Sequence, residues 1–135
     1  MEFNERLKLL REEKGLTQVE LSKLSGVSGR MIQKYESGLN RPRYDATERL
    51  AAALDVPISK LLGESEALIA KAGDMYGARG ARQAEALTEE VTGLFAGGEM
   101  AQEDMDMMMK AISDAYWIAK EKNKKYAPKH RRKKT

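Results

Sequence analysis

Gly15-Leu16-Thr17-Gln18-Val19-Glu20-Leu21-Ser22-Lys23-Leu24-Ser25-Gly26-Val27-Ser28-Gly29-Arg30-Met31-Ile32-Gln33-Lys34-Tyr35-Glu36 is the stretch whose reading decides the fold. Thr17 followed three residues later by Glu20 forms a capping box that opens a helix, with Leu21 and Leu24 as its inward residues. Ser25-Gly26-Val27 interrupts that helix, and Gly26 stands where a tight turn requires positive φ. Ser28 then caps a further helix that runs to about Ser37. Leu21, Val27, Ile32 and Tyr35 are apolar where two steeply crossing helices share a core, and Ser22 is small where the second helix passes closest. Spacing alone fits two helices joined by a three-residue turn and any other small helical bundle equally.

Outward from this stretch the boundaries are well marked. Asn4 is placed to cap a first helix reaching about Lys14, which Gly15 ends. Gly38 stops the third helix, and Asn40-Arg41-Pro42-Arg43 makes a loop. Asp45 with Glu48 repeats the capping box for a fourth helix bearing Ala46, Leu50, Ala53 and Leu54, and Pro57 precedes a short fifth helix through Leu61 and Leu62. Beyond Gly63, Leu68, Ile69 and Ala72 suggest a short helix, but Gly73, Gly77 and Gly80 weaken helix formation. Ala81, Ala84, Leu87, Val91 and Leu94 restore helical spacing up to Gly97-Gly98. A last helix opens on Gln102, Glu103 and Asp104 and finishes among Lys120, Lys122, Lys124 and Lys125, each end carrying the charge that suits the helix dipole. With no sustained period-two alternation the chain reads as all-α. It divides into a five-helix domain (1–63), a Gly-containing joint (64–80), a helical hairpin for dimerisation or partner binding (81–125) and a disordered basic tail (126–135).

Composition bounds the chemistry. The 135 residues hold no cysteine and one histidine, His130. Disulfides and thiolate chemistry are excluded, and a metal site has few ligands to draw on. No nucleophile–base pair or phosphate-cradling glycine loop is present, so the reading is a non-enzyme without cofactor or metal. The acidic group Glu99, Glu103, Asp104 and Asp106 is explained by the start of a helix. Apolar runs fall far short of the ~20 residues that a bilayer demands, and a cytoplasmic protein with no membrane partner is expected. Net charge is +2 over residues 1–62, −7 over 63–119 and +8 over 120–135. A basic domain and a strongly basic tail around an acidic middle point to a polyanion, with nucleic acid the leading candidate.

Met105, Met108, Met109, Ile112, Ala115, Tyr116 and Ala119 draw one wide apolar stripe down the last helix. Leu87, Val91 and Leu94 on the preceding helix can cover part of it, and hairpins from two subunits would complete a four-helix core. Leu87, Val91, Leu94, Met105, Met108, Met109, Ile112 and Tyr116 are therefore the expected dimerisation residues. Met107, Trp117 and Ile118 fall off the stripe and add apolar surface that favours oligomerisation.

The motifs Gly15-Leu16-Thr17-Gln18 through Leu21, Ser25-Gly26-Val27-Ser28, Ile32, Tyr35-Glu36-Ser37-Gly38, Arg41-Pro42 and Leu50-Ala51-Ala52-Ala53-Leu54 occur in order at matching separations. Together they resemble the lambda repressor and Cro-like helix-turn-helix family, often called Xre-type regulators, over residues 3 to 62. The resemblance implies a five-helix domain that docks as a homodimer on double-stranded operator DNA with its third helix in the major groove. It implies a sequence-specific transcriptional regulator, a dimeric repressor of a mobile-element or prophage promoter. The DNA-binding set it implies is Thr17, Gln18, Ser28, Gly29, Arg30, Gln33, Lys34, Asn40, Arg41 and Arg43. Within that set Gln18 matches the residue that holds a phosphate and supports the recognition helix. Arg30 is chemically suited to a bidentate contact with guanine and Gln33 to one with adenine, whereas Arg41 and Arg43 would position the backbone. Gly29 departs from the longer polar residues common there. Arg11 and Glu36 match a pair that bridges the first and third helices.

The segment from Gly97-Gly98-Glu99 to Lys129 is also similar to the ends of regulators from mobile elements and prophages of Gram-positive bacteria, some of which are relieved by a partner metallopeptidase. A rival reading is an antitoxin or immunity module whose C-terminal helices bind a protein such as a toxin.

Overall fold

A computed structural model describes residues 1–95, 98 and 100–125. The expected basic tail and the Gly97 stop signal lie outside the described residues. Among the described residues seven helices follow in order: α1 (Phe3–Glu13), α2 (Gln18–Ser25), α3 (Gly29–Glu36), α4 (Tyr44–Ala53), α5 (Ile58–Leu62), α6 (Glu64–Leu94) and α7 (Gln102–Lys125). No strand occurs among the described residues.

The first five helices close around one core. Leu7, Leu21, Ile32, Leu50, Leu54 and Leu61 are fully buried in it, with Phe3, Val27 and Tyr35 beside them. The Thr17–Glu20 capping box is present in both directions, with Thr17 Oγ1 accepting from the Glu20 N–H at 3.0 Å and Glu20 Oε1 accepting from the Thr17 N–H at 2.9 Å. Gly26 has φ 75°, the left-handed value that turns α2 into α3, and Ser28 Oγ accepts from the Met31 N–H to cap α3.

Three local expectations are corrected. Asn4 lies inside the first turn of α1, whose N-cap is Glu2, because Glu2 and Glu5 form a capping box there, with the Glu2 N–H donating to Glu5 Oε1 at 3.0 Å. Leu24 is 62% exposed, since α2 turns Leu21 and Ser25 inward and faces Gln18 toward α3. Asp45 does not cap α4, which begins one residue earlier with Arg43 at its N-cap. The Asp45 carboxylate instead accepts from Arg49 one turn along at 3.0 Å.

Residues 64–80, read as a joint, are helical except at Gly77, where φ 76° and ψ −166° break α6 into two parts. The chain doubles back sharply there, and a Cβ on Gly80 would lie 2.5 Å from Tyr76 Cβ and 2.7 Å from the Ala72 carbonyl oxygen. The glycines that weaken the helix are also those that let its two parts pack at such a corner.

A second core forms where α7 lies against both parts of α6. Leu68, Ala72, Ala84, Val91 and Met109 are buried there, and Ile69, Leu87, Phe95, Met108, Ile112, Tyr116 and Trp117 pack around them. Tyr116 and Trp117 meet edge to face at 4.8 Å, and Lys71 lies over the Trp117 ring at 4.4 Å. The first part of α6 also packs on α4 and α5, joining the two cores.

Candidate nucleic-acid interface

An eight-residue helix such as α3 can hardly hold its own orientation, because nucleation leaves short helices marginal in isolation. Its C-terminal end is fixed by a buried polar cluster. Arg11 on α1 donates to Glu36 through Nε at 2.7 Å and Nη2 at 3.0 Å, and Nη1 donates to the Leu16 carbonyl at 2.7 Å. Gln18, at the start of α2, donates through Nε2 to Glu36 Oε1 at 3.1 Å. The Arg11 and Glu36 side chains are 12% and 6% exposed. Hydrogen bonding to Glu36 is the largest influence raising the Arg11 pKa above its ordinary value, ahead of the opposing effect of burial. One carboxylate thus ties three elements, and the angle between α2 and α3 is set by it as well as by Leu21, Val27 and Ile32.

The opposite face of α3 is open. Arg30 and Gln33 are exposed and make no side-chain hydrogen bond among the described residues, while Gly29 and Lys34 are half-buried. Arg30 and Gln33 stand three apart, so they lie on one face of α3. The hydroxyl oxygens of Thr17 and Ser28 accept their helix-cap bonds, so their O–H groups remain as donors beside the first amides of α2 and α3 at those ends. Helix N-termini of this kind suit phosphate oxygens.

The loop after α3 carries exposed Asn40, Arg41 and Arg43. Arg43 has no side-chain partner among the described residues. Arg41 is engaged, donating through Nη2 to Glu66 Oε1 on α6 at 2.5 Å, with its guanidinium 5.6 Å from the centre of the Phe3 ring. This pairing could not be read along the chain, since the partners are 25 residues apart and meet only because the first part of α6 packs on α4 and α5. Arg6 also escaped the sequence reading. Its Nε donates to the Met1 carbonyl at 3.1 Å and its Nη1 to the Ser59 carbonyl at 3.4 Å, securing α1 to the start of α5. Among the described residues no group of three His, Cys, Asp or Glu is placed to hold a metal ion, and no helix is long and apolar enough to cross a membrane.

Of the residues expected to dimerise, Val91 and Met109 are buried within the chain's own second core. Leu87, Met105, Met108, Ile112 and Tyr116 are partly buried, and Leu94 is 80% exposed. The single chain therefore covers most of the inner stripe of α7 by folding α6 around it.

Comparison with known proteins agrees with this geometry. The helix-turn-helix family matches residues 7–61. An immunity repressor protein of Bacillus phage phi105 is 30% identical over 137 aligned residues, covering 96% of this chain and 94% of that protein. The transcriptional repressor RstR of the cryptic phage CTXphi in Vibrio cholerae is 34% identical over 47% of this chain and 58% of its own length. The HTH-type transcriptional activator BcrR of Enterococcus faecalis is 39% identical over 49% of this chain and 32% of its own length. No solved structure matches the chain. The first of these alignments runs through α6 and α7 as well as the N-terminal helices, and the chain belongs to the helix-turn-helix family of lambda repressor and Cro-like (Xre-type) regulators.

Proposed function

We propose that the chain is a sequence-specific DNA-binding repressor of prophage type, which inserts α3 into the major groove of its operator. The observation that carries this reading is the contrast between the two faces of α3. One face is locked by the Arg11–Glu36–Gln18 cluster, and the other offers Arg30 and Gln33 free of partners among the described residues. Arginine and glutamine pair with guanine and adenine edges through two hydrogen bonds each, which discriminates bases only if the helix beneath them is rigidly aimed. Arg43 and the amide ends of α2 and α3 contact phosphates and set the register. The similarity to an immunity repressor along almost the whole chain supports repression in particular.

In vitro selection from a pool of random duplexes tests the reading. It is expected to enrich one motif, present as two half-sites about one helical turn apart and found in the DNA flanking the protein's own gene. Recovery of duplexes with no common motif would contradict it.

A further inference from the structure

The two cores meet along a groove of about 380 Å³ lined by α4, α5, the first part of α6 and the middle of α7. Its apolar side is made by Tyr44, Ile58 and Trp117, all half-buried. Carboxylates reach it from three helices: Glu48 on α4, Glu64 at the start of α6 and Asp114 on α7. Neither Glu48 nor Glu64 joins any ion pair among the described residues. Asp114 accepts from Lys110 at 3.1 Å, but both side chains are more than half exposed, so the pair is weak and open to a second cation. Among the described residues the cation lining the groove is Lys71, whose ammonium lies over the Trp117 ring. The negative field extends to Tyr44, whose hydroxyl pKa is raised first by burial and next by the charges of Glu48 and Asp74. Trp117 also borders a shallow strip with Ile118, Glu121 and Lys122, running from the groove toward the end of α7. Glu121 and Lys122 cancel on that strip, which leaves the negative charge concentrated in the groove.

We infer that the groove is the seat of the chain's own basic segment, residues 126–135, which doubles back along α7. That segment follows directly on α7 and carries Lys129, Arg131, Arg132, Lys133 and Lys134 with no acidic residue. The lengths match. Eleven residues of helix separate Lys125 from Asp114, about 16 Å. With Tyr126-Ala127-Pro128 making the reversal, Lys129 to Lys134 in extended form span about 20 Å. Arg131 and Arg132 then pass beside Glu121 and lay their aliphatic stems on Ile118. Lys133 and Lys134 arrive between Trp117 and the carboxylates of Asp114, Glu64 and Glu48. Seated there, the cations are balanced within the chain, and a segment that would attract any duplex is held off phosphates in the free protein. Because the groove carboxylates come from both cores, the seated segment also ties one core to the other. The inference concerns the chain without DNA and does not depend on the repressor reading.

A carbodiimide, which joins an ammonium to a carboxylate that it touches, tests the seat in the full-length chain. At low salt, a mixture of isotope-labelled and unlabelled protein should give peptides linking Lys133 or Lys134 to Glu48, Glu64 or Asp114. Each linked pair should be wholly labelled or wholly unlabelled, because the segment docks on its own chain. Glu48→Gln, Glu64→Gln and Asp114→Asn together should release the segment. Trypsin should then cleave after Arg131 and Arg132 about fivefold faster or more than in wild type, with circular dichroism unchanged. Added salt should bring the wild-type rate up toward that of the variant, since exposed ion pairs are screened. Absence of the links in wild type, links that join labelled to unlabelled peptides, or equal trypsin rates in wild type and a folded variant would each overturn the inference, whatever the outcome of DNA selection.

Discussion

Replacing Glu36 by alanine removes the carboxylate on which three side-chain hydrogen bonds converge, two from Arg11 and one from Gln18. Arg11 keeps its bond to the Leu16 carbonyl, but its charge is left largely out of water with no anion beside it. Breaking a buried pair from one side costs about 3 to 5 kcal/mol, because the desolvation of the surviving charge is no longer offset. Small domains are stable by only ~5 to 15 kcal/mol in total, so the loss is a large fraction. At a urea dependence of about 2 kcal/mol per molar, the unfolding midpoint should fall by ~1.5 to 2.5 M. Circular dichroism during urea titration measures it. Replacing both partners with apolar residues, Arg11→Met with Glu36→Leu, should recover most of the loss, since no buried charge remains unpaired. A Glu36→Ala midpoint within ~0.5 M of wild type, or a double variant as unstable as the single, would refute the assignment of α3's anchorage to this cluster.

Gly80→Ala should be more damaging than an ordinary glycine-to-alanine change in a helix, which usually stabilises. The added methyl would overlap Tyr76 and the Ala72 carbonyl, and thermal melts should show loss rather than gain. Glu66→Gln should free Arg41 for phosphate and tighten operator binding a few-fold, with a salt slope steeper by about 0.9, read from binding titrations at several salt concentrations. The Glu20 carboxyl is held below its ordinary value of 4.5, first by the hydrogen bond from the Thr17 backbone and next by the Thr17 hydroxyl. Its contribution to α2 is therefore complete above that ordinary value and lost as pH falls through the lowered folded value. An acid titration of Glu20→Gln against wild type should show less pH dependence in the variant below pH 4.5.

The features legible in the sequence were those with local causes. The Thr17–Glu20 box, the left-handed Gly26, the Ser28 cap and the apolar positions at Leu21, Val27, Ile32 and Tyr35 each depend on residues within a few positions of one another. Asn4 and Asp45 misled because each is a good capping residue that stands second in a helix whose N-cap lies two positions earlier, at Glu2 and at Arg43. Leu24 misled for a related reason, as the rotation of α2 follows the tether between Gln18 and Glu36 rather than hydrophobicity alone. The Arg41–Glu66 pair and the corner at Gly77 belong to tertiary structure, and no periodicity announces them. Trp117 fell outside the stripe on α7 by helical arithmetic, yet it packs in the second core because the first part of α6 returns beside it. At the interface, residue chemistry pointed to Arg30 and Gln33 and local spacing to the caps at Thr17 and Ser28, whereas the engagement of Arg41 by Glu66 emerged only from the fold.

The central claim is that α3 reads bases through Arg30. The most direct measurement is the affinity of Arg30→Ala for the selected operator and for a scrambled duplex of equal length, at one fixed salt concentration. A loss of about 1 to 3 kcal/mol on the operator, much smaller on the scrambled duplex and with relaxed preference at a single base pair, is the predicted result. Equal losses on both duplexes would place Arg30 on the phosphate backbone and contradict the account.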